Sequence, residues 1–244
     1  MFEKTRLRTE NLALLLLILT PIFYIIGSLF ANLSILLLFV FYLLIEPKNK
    51  FLILLKKYKF YLIFAFLILL INILNSENSN LSTIKGVAFF RYILFGISLS
   101  FLINFISKKN IKIYTKFLVL LILFLVFDSF LQFFLKKDIF GFSYIETYKR
   151  ITGPFGDEMI IGSYLLNIGF LSLSFLNYFY KIEMKYNIFL FLLISITILF
   201  TGERSAFLSA IYFFALVFLI SREKKMIFLI GFILIILSTL LIKN

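Results

Sequence analysis

"FLVLLILFLVFDSFLQFFL", residues 117–135, is nineteen residues long and only Asp128, Ser129 and Gln132 in it are polar. At 1.5 Å per residue a helix of this length runs about 28 Å, close to the roughly 30 Å thickness of a bilayer's hydrocarbon core. The stretch therefore reads as a membrane-spanning helix. Runs of the same character recur along the whole chain, which is 62% hydrophobic, 15% charged and has a mean hydropathy of +1.07 over its 244 residues. Those values lie well outside the range of a soluble domain. The ten-residue alternating segments of a membrane barrel are absent. The expected fold is all-α, a polytopic transmembrane helix bundle forming a single domain over residues 1–244, with about nine spans near 11–27, 29–45, 60–74, 87–106, 117–135, 158–180, 187–201, 205–220 and 226–242. The first run has no small-residue cleavage site and reads as a retained span rather than a signal peptide.

The formal charge is +13, and the arrangement of the basic residues explains it better than a nucleic-acid partner would. With a cytoplasmic N-terminus, seventeen of the 25 Lys and Arg fall on the inner side: Lys4, Arg6 and Arg8; Lys48 to Lys59; Lys108, Lys109, Lys112 and Lys116; Lys181 and Lys185; Arg222, Lys224 and Lys225. This is the positive-inside pattern. Cysteine and histidine are both absent, so thiolate or imidazole metal sites and a histidine general base are excluded within these residues. The 35 phenylalanines carry no functional reading of their own.

Basic residues that break the charge rule need another explanation, and Arg91, Arg150 and Arg204 all fall at or near the outer face. Arg91 is four residues inside its expected span, about 6 Å deep, where it either snorkels to the interface or serves a site. Asp128 is about 10 Å below the outer boundary, and a carboxylate at that depth needs a partner or a proton. Pairing of Asp128 with an outer-face arginine is the expectation, with Gln132 on the same helical face at i+4.

Two polar islands flank the later spans. In "RITGPFGDEMIIGSYL", residues 150–165, Pro154 and the glycines interrupt regular structure. Asp157 is placed to cap the following helix, and Glu158 to occupy its first turn, where an acid favours the helix dipole. Gly162 and Gly169 are seven apart on one face, which suits close helix packing. In "TGERSAF", residues 201–207, Gly202 permits a reversal and Ser205 starts the next helix. Glu203 and Arg204 are costly so close to hydrocarbon unless paired or facing water. Several guanidinium groups at the outer leaflet suit a diphosphate on a lipid, since the planar fork binds phosphate oxygens bidentately and keeps its charge in a low dielectric.

Taken together, R-x-x-G-P-F-G-D-E-x-x-x-G-S-Y-L at 150–165, D-x-x-x-Q at 128–132, "KKDIFG" at 136–141 and T-G-E-R-S-A-F at 201–207 resemble the O-antigen ligase and polymerase superfamily, over a core of about residues 80–220. The resemblance implies a bacterial inner-membrane glycosyltransferase of the GT-C type, needing neither nucleotide sugar nor metal. Such an enzyme takes a glycan from undecaprenyl diphosphate at the periplasmic face and passes it to an acceptor in surface polysaccharide biosynthesis. The acceptor is the lipid A core of lipopolysaccharide in ligases and a second lipid-linked repeat unit in polymerases. By motif position Arg150 and Arg204 would hold the diphosphate, with Arg91 a looser match and Asp128, Gln132 and Asp157 in support. Ligases of this family also carry a large periplasmic loop with an acceptor-activating histidine and further spans, all lacking up to Asn244. The expectation is therefore an N-terminal portion of a longer chain, with Glu158 or Glu203 the bases present here. A transporter of the same lipid-linked glycan, or a non-catalytic subunit of an envelope complex, are the readings from other classes.

Overall fold

The computed structural model describes residues 2–45, 55–56, 58–146 and 150–220. Among these residues the regular structure is helical, and extended pairing is confined to the isolated bridges Lys137 to Ser143 and Ile145 to Arg150. The helices with described bounds are α1 (Phe2–Ile26), α2 (Ser28–Ile45), α3 (Lys59–Leu74), α4 (Ser79–Phe105), α5 (Lys108–Leu135), α6 (Ile161–Tyr180), α7 (Met184–Phe200) and α8 (Arg204–Ile220). Among the described residues, four segments are long and apolar enough to cross a membrane: Leu7–Ile26, Ser28–Ile45, Ser79–Phe105 and Lys108–Leu135. The protein is thus an all-helical membrane protein. The expected span at 226–242 lies outside the described residues.

Several helices begin earlier than the apolar runs do. α4 starts at residue 79 rather than 87, and α5 at 108 rather than 117. Hydropathy marks only the part of a helix that meets lipid, while the i to i−4 hydrogen bonds continue into the polar zone. Asn78 helps α4 begin early, because its side chain accepts from the Leu81 amide at 3.1 Å.

The chain divides into two compact units, residues 1–111 and 112–244. In the first, α2 packs against α1 and α4, and α3 lies against α4 with none of its residues buried. α1 and α2 are separated by Gly27 only, whose φ of 144° a side chain would strain.

In the second unit, α5 presents two faces. Leu118, Ile122, Leu125, Ser129 and Gln132, alternating four and three apart, are buried, whereas Leu120, Phe127 and Phe134, seven apart, are exposed. Aromatic contacts fix how the helices run. Tyr114 near the start of α5 meets Phe175 near the end of α6, and Phe133 near the end of α5 meets Phe200 at the end of α7, 4.6 Å between ring centroids. Phe170 of α6 stacks on Phe213 of α8 at 4.3 Å. α5 and α7 therefore run one way, α6 and α8 the other. The links among α5 to α8 consequently alternate ends: the described residues between α5 and α6 and the 201–203 turn share one end, while Lys181 and Lys185 share the other with Lys112, whose carbonyl accepts from the Tyr180 hydroxyl at 3.0 Å.

Candidate functional site at the non-helical end of the second unit

The site is built on two polar side chains one turn apart on α5. Gln132 is fully buried and uses its whole amide: Oε1 accepts from the backbone N–H of Thr152 at 2.9 Å and Gly153 at 2.8 Å, and Nε2 donates to the Phe142 carbonyl and Thr152 Oγ1, both at 3.3 Å. One side chain thereby fixes two separate parts of the loop that follows its own helix. Asp128, also fully buried, accepts through Oδ1 from the Ile139 amide at 2.8 Å, and its Oδ2 has no hydrogen-bond partner. The expected ion pair between Asp128 and an arginine is therefore not made. Its carboxylate serves a backbone amide instead, a group that costs about 1–3 kcal/mol when buried unpaired.

The loop itself is tightly turned. Lys136 has φ 62°, Asp138 Oδ1 accepts from the Phe142 amide at 2.6 Å, and the Asp138 amide donates to the Phe142 carbonyl at 3.0 Å. After the Ile145 to Arg150 bridge, buried Ile151 and Thr152 lead into a 3₁₀ turn, Gly153–Phe155, with Pro154 at its start, where the missing N–H costs nothing. Gly153 has φ 54°, and a Cβ there would come 2.5 Å from Ile161 Cδ1. Only glycine fits. Phe155 is buried and meets the Tyr164 ring edge-on at 5.2 Å, which seats the turn on α6.

The start of α6 corrects two expectations. The helix begins at Ile161, with Ile160 in the capping position and no side-chain cap of its own, so Asp157 and Glu158 precede the helix and are both exposed. The acid that caps α6 comes from forty residues further along. Glu203 Oε1 accepts from the Gly162 amide at 2.6 Å, and Oε2 accepts from the Ser163 amide at 3.0 Å and hydroxyl at 2.7 Å. A carboxylate placed on free amides at the positive end of a helix dipole explains how an acid is kept buried here. With both oxygens occupied, Glu203 is a poor candidate for a base. Gly162 makes the approach possible, since a Cβ would sit 2.6 Å from Thr201 Oγ1 and 3.0 Å from the Glu203 carboxylate. Gly169, as expected from its spacing, faces α7, where a Cβ would meet Ile194 at 3.1 Å.

The turn between α7 and α8 is as short as its sequence implied. Gly202 takes φ 72°, and its amide donates to the Leu199 carbonyl at 3.3 Å. Glu203, rather than Ser205, stands at the start of α8, its carbonyl accepting from the Phe207 amide.

Of the three arginines, Arg150 and Arg204 come to one end of the second unit. Arg150 is half-buried, and its Nη1 lies 3.5 Å from Met159 Sδ. Arg204 is exposed and adjoins Glu203, which is bonded to Gly162. Met159 and Gly162 are three residues apart, so their Cα atoms are within about 11 Å. Among the described residues neither arginine has a carboxylate within ion-pair distance. Arg91 belongs to the first unit, where its guanidinium lies 5.0 Å from the Tyr92 ring centre and donates to the Tyr92 hydroxyl at 3.2 Å. Its Nε is buried with no hydrogen-bond partner.

Sequence reasoning did not single out Asp138 or Thr152. The D-x-x-G spacing of Asp138 and Gly141 is a turn signature that marks the first. No local signal marks Thr152, whose partner is twenty residues away.

Among protein-family models, curated proteins and solved structures, none matches this chain.

Proposed function

We propose that this protein is a membrane glycosyltransferase that takes a glycan from undecaprenyl diphosphate and transfers it to an acceptor at the extracytoplasmic face, as an O-antigen ligase does with the lipid A core. The observation that carries the reading is the pair Arg150 and Arg204, two guanidinium groups without carboxylate partners among the described residues, held near the same helix start. Diphosphate departure places growing negative charge on the leaving oxygens, and fixed cationic donors aimed at that charge lower the barrier. Arg204 is also the first residue of α8 and is exposed at that end. Exposed Glu158 is the acid available to activate an acceptor hydroxyl, while Glu203 positions Arg204 through its bonds to α6.

On this reading the chain crosses the bacterial inner membrane about nine times, counting 226–242, with a cytoplasmic N-terminus. The grouping of Lys112, Lys181 and Lys185 at the opposite end from the two arginines supports that orientation. Incubating the purified protein with an undecaprenyl-diphosphate-linked glycan and an acceptor tests the proposal. Release of undecaprenyl diphosphate with glycosylated acceptor is expected, and movement of the lipid-linked glycan across a bilayer without release would instead identify a transporter.

A further inference from the structure

The chain leaves α5 at Leu135 and immediately turns back along it. The Ile139 amide reaches Asp128, seven residues before the helix end, and the Phe140 ring meets Phe124, eleven residues before it, edge-on at 6.3 Å. At 1.5 Å per residue these contacts lie about 10 and 16 Å back down the helix axis. The returning segment is a narrow hairpin: the Tyr144 amide donates to the Lys136 carbonyl at 3.0 Å, Lys137 pairs with Ser143, and Asp138 pairs with Phe142. Its tip carries large apolar side chains that the protein leaves uncovered, Ile139 at 50%, Phe140 at 60% and Phe142 at 41% exposure. Phe124, against which Phe140 rests, lies on the same outward side of α5 as Leu120, Phe127 and Phe134.

We propose that residues 136–144 form a re-entrant hairpin that dips into the outer leaflet, with Ile139, Phe140 and Phe142 seated among lipid acyl chains. The occupant follows from continuity: the tip extends the exposed apolar face of a helix whose length and composition suit a bilayer, and at the depth of Phe124 the solvent on that face is hydrocarbon. Non-helical backbone survives at such depth only where the protein satisfies it. That requirement accounts for the two polar residues on α5 that face the hairpin: Asp128 accepts from the Ile139 amide and Gln132 donates to the Phe142 carbonyl. Within the hairpin Asp138 accepts from the Phe142 amide. At the neck, the Lys136 ammonium lies 4.1 Å from the Tyr144 ring centre and 5.5 Å from that of Phe133, an aromatic and cationic grouping of the kind found at headgroup level.

The chain has no tryptophan, so a Phe140→Trp variant reports from one site. In vesicles of phosphatidylcholine brominated on the acyl chains, its emission is expected to be blue-shifted, to lose intensity relative to unbrominated lipid, and to resist aqueous iodide. Phe127→Trp, on the outward face of α5 and eight residues before the helix end, is the positive control. Quenching by iodide with no effect of bromolipid would overturn the proposal by placing the tip in water. Insensitivity to both quenchers would overturn it equally, since a second copy or another part of the chain would then cover the tip. A Phe142→Trp variant repeats the measurement should the first substitution disturb folding.

Discussion

At the scale of single residues, the second unit depends on side chains whose work is to satisfy distant backbone. Gln132→Leu keeps the volume but removes four hydrogen bonds and orphans the amides of Thr152 and Gly153. At about 1–3 kcal/mol for each orphaned group, a loss of about 2–6 kcal/mol is expected. Thermal unfolding in detergent measures it, and an unchanged midpoint would remove the clamp role. Arg150 and Arg204 carry the functional reading rather than the fold, since neither has a described ion pair to lose. Arg150→Ala and Arg204→Ala should each abolish glycan transfer while membrane insertion and yield stay normal. Lysine should restore little, because a point charge lacks the planar fork that binds two phosphate oxygens at once. Activity surviving in both alanine variants would sink the site assignment.

Between elements, α6 is held at its start by a residue of another helix and along its length by the closeness that glycine allows. Gly162→Ala brings a methyl group within 2.6 Å of Thr201 Oγ1 and against the Glu203 carboxylate. Overpacking of this kind costs about 1–3 kcal/mol. It also pushes Glu203 off the amides it caps. Glu203→Ala leaves those amides without an acceptor and should cost about 0.5–2 kcal/mol, the usual range for a lost cap. The informative comparison is the double variant. If the two sites act through one contact, the combined loss falls short of the sum, and strict additivity would show them to be independent.

For the molecule as a whole, the alternation of α5 to α8 makes a claim about sidedness. Because the chain lacks cysteine, a single introduced thiol reports its own exposure. Asp157→Cys, in the exposed link before α6, should react with a membrane-impermeant maleimide added outside intact cells. Lys181→Cys, at the opposite end, should react only after permeabilisation. The reverse pattern would invert the orientation and move both arginines to the cytoplasmic side, ending the proposal for an extracytoplasmic substrate.

The sequence by itself determined that this is a helical membrane protein and located its polar islands, because apolar length and charge bias are summed along the chain and need no knowledge of contacts. It also placed the reversal at Gly202 and the close-packing face of Gly162 and Gly169, both local properties of glycine spacing. Only the tertiary structure decided what the buried polar groups do. Asp157 looked like the cap of α6 from its position, yet Glu203 holds that place, and Asp128 looked like an arginine's partner, yet it holds the amide of Ile139. In a low dielectric every buried donor needs an acceptor, and which acceptor reaches it is settled by how helices pack, across separations of eleven to forty-one residues in these cases.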